Sequence, residues 1–269
     1  MSGAWRPGPA ALLAGLAAAA WAAPGVVGEH LVVTPTRVVL EGRKRAAELV
    51  LINGGAEPAT YRLSFLHLDM DEDGRIRPWD SQAGGNSAEP LLRFSPRVVT
   101  LAPGATQTVR LQVRKPEALA DGEYRSHLLF RAVPAEPQAA PAGGGPGQLN
   151  LTLRAIHGIS IPVIIRHGQV QAHCALGDLA LDRGQLACTL LREGNRSVYG
   201  DLAATWRPRG GRAAPAGSMR GVAAYAELAR LRLKLKLAPP PGPGPGTLHV
   251  AFLEHGTAKV LAEAALDVP

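Results

Sequence analysis

Cysteine is scarce in this chain: Cys174 and Cys188 are the only two among 269 residues. That count excludes a disulfide-rich scaffold, and with no CxxC spacing it excludes a zinc ribbon or a thioredoxin-type motif. Aromatic residues make up 4% of the sequence, too few to build base-stacking platforms for single-stranded nucleic acid. The eight histidines stand singly, with no HxxxH or HxH pair, so neither a metal centre nor a catalytic triad is written in the sequence. There is also no GxSxG, no phosphate loop and no visible acid/base pair of carboxylates. We therefore expect a protein that is not an enzyme, with no catalytic or metal residues and no cofactor.

What is present begins with a leader. Residues 1–28 hold one basic residue, Arg6, no acidic residue, an Ala/Leu run from Ala10 to Ala20 and small-residue sites such as Ala20-Trp21-Ala22. This is the pattern of a secretory signal peptide, too short in its apolar core to span a bilayer comfortably. No later segment approaches the length of a membrane helix, so no membrane insertion is expected. Losing Arg6 with the leader lowers the formal charge from +7 to +6. This charge is spread along the chain rather than gathered into a tract, which argues against nucleic acid as a partner.

Roughly 240 residues then remain, more than one core usually organises, and they divide into two halves. Short alternating runs separated by Gly, Pro, Asn and Asp recur from His30 to Val133 and from Val170 to Val268, and only Ala223 to Ala229 could make a short helix. In the first half the strand candidates are Leu31–Leu40, Ala47–Asn53, Tyr61–Asp69, Leu91–Leu101, Thr106–Arg114, Glu123–Val133 and Leu149 onward. Seven strands in about 130 residues fit an immunoglobulin-like sandwich. The expected fold is all-β: two immunoglobulin-like β-sandwich domains in tandem, 29–165 and 166–269. Pro134–Gly147 and Pro239–Gly246 are expected to be loops.

The longest regular pattern is Leu149 to Arg166. Its odd positions, Leu149, Leu151, Leu153, Ala155, Ile159, Ile161, Val163 and Ile165, are apolar, broken once by His157. An ordinary strand has five or six residues, so this run either crosses between domains or forms an edge that serves a partner. Asp69, Asp71, Asp73, Gly74 and Ile76 mimic the start of a calcium loop, but position twelve is Asp80 and the flanks read as strands, which favours a solvated hairpin turn. Cys174 and Cys188 could form a disulfide in an oxidising compartment. A hairpin around Asp182-Arg183-Gly184 would instead set Cys174 opposite about Arg192, so a bridge needs a bend or a neighbouring-strand contact; otherwise both are buried thiols.

Seven short stretches carry a resemblance. Pro35-Thr36-Arg37-Val38, Leu51-Ile52-Asn53, Phe94-Ser95-Pro96-Arg97, Leu101-Ala102-Pro103-Gly104, Val109-Arg110-Leu111, Gly122-Glu123-Tyr124-Arg125 and Arg131-Ala132-Val133-Pro134 resemble, in order and spacing, the amino-terminal domain of PapD-like periplasmic pilus-assembly chaperones. The resemblance covers about Glu29 to Arg166.

It implies two immunoglobulin-like domains set at an angle around a cleft that receives pilin-like subunits lacking their last strand. The chaperone lends its own G strand, here Leu149, Leu151, Leu153 and Ala155, by β-strand addition. It then hands the subunit to an usher-type protein in the outer membrane. Arg37 falls at the position that clamps the subunit's terminal carboxylate, solvated until the ligand arrives, while the position of the family's second cation falls on Pro162. Glu123 and Arg166 fall at a buried ion pair of the domain junction, whose third member, an aspartate, would fall near Pro243. The rival reading is a secreted two-sandwich adhesin or ligand-binding module.

Overall fold

A computed structural model of the chain describes residues 26–27, 31–78, 86–134, 158–238 and 244–269. The donor-strand residues Leu149, Leu151, Leu153 and Ala155, the leader apart from Val26 and Val27, and most of the two Pro/Gly-rich stretches lie outside them.

The first sandwich comprises β1 (Val26–Val27), β2 (Leu31–Thr34), β3 (Val38–Leu40), β4 (Ala46–Asn53), β5 (Ala59–Leu66), a hairpin of β6 (Leu68–Met70) and β7 (Ile76–Pro78), β8 (Leu92–Ser95), β9 (Val98–Leu101), β10 (Thr106–Val113), β11 (Gly122–Val133) and β12 (Gly158–His167). Its two sheets run β1-β2-β4-β10-β8 and β3-β12-β11-β5-β9. The second sandwich comprises β13 (Ala172–Asp182), β14 (Gln185–Gly194), β15 (Val198–Pro208), β16 (Ala214–Ala224), β17 (Arg230–Lys236), β18 (Gly246–Glu254) and β19 (Val260–Val268), paired as β13-β14-β17 and β16-β15-β18-β19. Both halves are thus β-sandwiches, as the alternation implies.

The first core is built from the inward positions of both sheets. Val109, Leu111 and Val113 of β10, with Val33 and Leu49 of the same sheet, join Phe130, Ile161 and Val163 of the other sheet in one buried cluster. The Tyr124 hydroxyl donates to the Ala120 carbonyl at 2.9 Å, the tyrosine-corner bond of immunoglobulin-like folds. Asn53 is fully buried, and its side-chain amide donates to Glu57 O and Leu101 O at 2.8 and 3.0 Å, tying the segment after β4 to the end of β9.

Proline breaks two strands that the sequence reads as continuous. Leu31–Leu40 divides at Pro35, so β2 pairs with β4 in one sheet while β3 pairs in parallel with β12 in the other. Pro has no N–H for a ladder, and the first strand crosses between sheets where it occurs. Leu91–Leu101 divides in the same way at Pro96.

Two further expectations change. Ala223 to Ala229 is not a helix: β16 ends at Ala224 and a turn over Tyr225–Ala229 leads into β17. The acidic hairpin is not simply a solvated turn either. Asp71 accepts from the amides of Asp73 and Arg75 at 3.0 and 2.8 Å, but Asp73 and Glu72 reach the second sandwich, pairing with Arg232 at 2.8 and 3.1 Å. The Arg232 amide also donates to the Glu72 carbonyl at 2.7 Å.

The second sandwich opens with the hairpin that the sequence indicates. Arg183 and Gly184 both have positive φ, 46° and 76°, the pair of left-handed residues a tight two-residue hairpin turn requires. Cys174 lies opposite Arg192, and Cys188 pairs across its other ladder with Leu233. The disulfide weighed from sequence is therefore absent, and both thiols are free. Burial pushes Cys188 up to about 11 and raises Cys174 as well. Thiol titration of unreduced, denatured protein is thus expected to find both cysteines reactive, while the folded protein at pH 8 alkylates slowly because little thiolate is present. A single non-reducible species with no titratable thiol would contradict the register.

Candidate functional site

The functional side chains gather where the two sandwiches meet. Glu123 enters from the start of β11 and Arg166 from the end of β12, directly opposite each other in the ladder. Their Oε2 and Nε atoms are 3.0 Å apart. The same Oε2 accepts from the Ser197 amide at 3.0 Å and the Ser197 hydroxyl at 2.9 Å. Ser197 belongs to the β14–β15 turn and is fully buried, so one carboxylate oxygen holds both sandwiches. The position expected for an aspartate, near Pro243, lies outside the described residues. Glu41, at the end of β3, pairs with Arg166 at 3.0 Å. Arg166 also donates to Ser197 O at 3.3 Å.

Arg37 sits in the crossover between β2 and β3, and its Nη2 donates to Ser197 Oγ at 3.1 Å. Its guanidinium carbon lies 4.7 Å from the Tyr199 ring centre and 5.6 Å from that of Tyr225, both residues of the second sandwich. Arg37 is therefore not a solvated cation waiting in an open cleft. It is half-buried between tyrosines, and burial lowers its pKa, opposed by Tyr225 and Glu123. Cation–π stacking works through the face of a guanidinium and not through its N–H donors, of which Nη2 is the one given to Ser197.

Sequence reasoning missed the partners from the second sandwich. Arg125 of β11 stacks on Tyr225 at 3.8 Å and forms a salt bridge with Glu227, where burial pushes the carboxyl up against the pull of Arg125. Arg192 is buried and donates to the carbonyls of Leu228, Ala226, Gly194 and Arg196 at 2.7, 2.7, 2.8 and 3.1 Å. That one guanidinium holds together the two turns that face the first sandwich, 194–197 and 225–228. Burial lowers its pKa, with no carboxylate bound directly to it among the described residues.

Pro162 faces His127 across the β11–β12 ladder. His127 is buried, its Nδ1 finds no hydrogen-bond partner among the described residues, and its ring meets Tyr225 edge-on at 6.3 Å. The position that would carry the family's second cation thus holds a proline beside a neutral imidazole.

These features define a class: two immunoglobulin-like sandwiches joined through a buried, charged junction. The family model described as pili and flagellar-assembly chaperone, PapD N-terminal domain, matches residues 30–167, just over half of the chain. The chain belongs to that family, and it is a chaperone of pilus assembly rather than an enzyme.

Solved structures similar to it include the CupB2 chaperone of Pseudomonas aeruginosa, 12% identical with a TM-score of 0.41, covering 87% of this chain and 98% of that one. The E. coli chaperone DraB is 15% identical with a TM-score of 0.43, covering 87% and 95%. The CsuC–CsuE chaperone–tip adhesion subunit complex of Acinetobacter baumannii is 10% identical with a TM-score of 0.44, covering 88% and 97%. No curated protein matches by sequence.

Two measurements test the junction. Removing one partner of a buried ion pair strands the other, typically at about 3 to 5 kcal/mol. Glu123→Ala is expected to lower the unfolding midpoint strongly, and Glu117→Ala, at an exposed position, to leave it nearly unchanged; equal shifts would show Glu123 to be solvated.

The second measurement concerns acid. Burial first, then the charges of Arg125, Arg37 and His67, depresses His127 from 6.5 to about 3. Below pH 6.5 the unfolded chain takes up a proton that the folded chain refuses, so stability is full above that pH and is lost as pH falls towards 3. The slope approaches about 1.4 kcal/mol per pH unit. In denaturant titrations from pH 7 to pH 4.5, His127→Leu is expected to remove this component of the acid sensitivity, and an unchanged slope would contradict it.

Proposed function

We propose that the chain is exported with residues 1–28 as its leader and works in the periplasm by donor-strand complementation. The strand comes from domain 29–165, and domain 166–269 forms the opposite wall of the cleft. The clients are pilin-like subunits that lack their last strand, passed on to an usher-type outer-membrane protein. The reading calls for no cofactor and no nucleotide, since exchange for a more complementary strand from the next subunit drives release.

The observation that supports it most directly is an open sheet edge. β12 has β11 along its whole length on one side, but β3 covers only Val163–Ile165 on the other. Among the described residues, no strand pairs with Gly158–Pro162 on that side. Unpaired N–H and C=O groups there form a template for a further strand. This edge directly continues the alternating stretch that carries Leu149, Leu151, Leu153 and Ala155. Of the same alternating run, Ile159, Ile161, Val163 and Ile165 pack into the protein's own core, so the partner's share would fall on the leucines before them.

Arg37 is the residue proposed to take the subunit's terminal carboxylate, through the N–H donors of its guanidinium. The test uses a purified strand-deficient pilin subunit and variants checked for folding by circular dichroism. Leu151→Asp combined with Leu153→Asp is expected to stay folded and to lose subunit capture; if the double variant unfolds, the leucines are core and strand donation by them fails. Arg37→Ala and amidation of the subunit's last carboxylate are expected to weaken binding by similar factors, with little added loss when combined. Additive losses would place Arg37 and the carboxylate at separate sites.

A further inference from the structure

The positive charge that looks scattered along the chain is gathered by the fold. Domain 166–269 holds 13 Lys and Arg against 8 Asp and Glu, a net +5 of the chain's +7. Its turns 194–197 and 225–228 face the first sandwich. The opposite end carries the 183–184 turn, the 209–213 turn and the connection after β17, tied together by backbone bonds from Leu237 to Gly184, Ala238 to Ala216 and Arg209 to Pro245 at 2.9, 2.7 and 2.9 Å. Arg183, Arg207, Arg209, Arg212 and Lys236 lie at that end, and all five are exposed. None of the last four forms an ion pair among the described residues, and Arg183 meets Asp182 only at 3.8 Å with both side chains in solvent. The other carboxylate there among the described residues, Asp267, accepts from the Thr247 hydroxyl at 2.8 Å. Arg207, Arg209, Thr247 and Asp267 line an open depression of about 670 Å³, together with the glycines of the turn.

We infer that this end of the second sandwich docks on a lipid surface of anionic headgroups. Five cations on three separate segments are more than one small anion can answer, whereas a charged plane answers all of them. A protein partner needs aromatic or apolar anchors at the centre of its interface. The exposed large apolar residues of the described structure are Ile76, Val98, Val133 and Val260, and none lies at this end. Addition of a strand to the end of β17 is closed off as well, because the amides of Leu237 and Ala238 are already given to Gly184 and Ala216. Lipid headgroups require neither anchor nor open edge. They are held by charge, cation by cation, and guanidinium forks pair with their phosphates. Docking here leaves the junction and Arg37 free, since the turns that meet the first sandwich belong to the opposite end.

The test is vesicle co-sedimentation of the full mature chain, with phosphatidylethanolamine vesicles carrying about 30% phosphatidylglycerol and with neutral phosphatidylcholine vesicles. Binding is expected to the anionic vesicles at about 50 mM salt, to be lost at about 0.5 M, and to be absent with the neutral ones. Arg207→Ala combined with Arg209→Ala and Arg212→Ala is expected to weaken binding about a hundredfold, roughly fivefold for each cation removed. A second variant takes the same number of exposed cations from the first sandwich, Arg43→Ala with Lys44→Ala and Arg45→Ala. It is expected to bind within about threefold of the parent, because those charges stand more than a screening length from the lipid. Equal losses in the two variants overturn the assignment, since net charge and not this end then drives binding. No binding to anionic vesicles at low salt overturns it too; a polyglutamate peptide that then binds the parent but not the first variant assigns the end to an acidic protein instead. The first variant is expected to capture a strand-deficient subunit as the parent does, so failure of this inference and failure of strand donation are told apart.

Discussion

A single carboxylate oxygen, Oε2 of Glu123, sits between the two sandwiches and accepts three donors: the Arg166 guanidinium and both the amide and hydroxyl of Ser197. A buried charge is tolerable only when answered in this way. Much of the rest of the junction follows from it. Ser197 must lie at a fixed depth, which sets the β14–β15 turn, and its hydroxyl then receives Arg37. Arg192, within the second sandwich, holds that turn against the one carrying Tyr225 and Glu227. The stacking of Arg37 and Arg125 on second-sandwich tyrosines is thus arranged from behind by one buried guanidinium and in front by one buried carboxylate.

The architecture was legible because β-sandwiches write a period of two into their strands. Thr106–Arg114 reads as a strand, and its alternate residues Val109, Leu111 and Val113 are all buried. The hairpin at Asp182-Arg183-Gly184 was equally visible, since it needs residue types that permit the bend. Strand ends at Pro35 and Pro96 were overrun because apolar alternation continues through them, while the missing N–H interrupts the ladder. Ala223 to Ala229 looked helical from propensity alone. In the folded chain the carbonyls of Ala226 and Leu228 are engaged by Arg192, a tertiary interaction that no local window contains.

The site was legible only in its first-sandwich half. Arg37, Glu123 and Arg166 stood out through a resemblance to a family, not through any pattern of their own. Glu41, Ser197, Tyr199, Tyr225 and Glu227 lie in turns or at strand ends, where polar residues are common and periodicity is silent. Their meaning comes from contacts across 100 residues and more, as between Arg125 and Glu227 or Arg37 and Ser197. The acidic hairpin shows the same limit: nothing in its local spacing points to its contact with Arg232, on the far sandwich.

That hairpin has a mechanical consequence. One point of attachment would leave the sandwiches free to swivel about it, and each further attachment removes a rotation. Here the buried junction at Ser197, the Arg125–Glu227 pair and the strut from Glu72 and Asp73 to Arg232 tether three different segments of the second sandwich. A frame braced at three separated points is rigid in the engineering sense: a load on either sandwich is shared among the three ties instead of turning one half about the other.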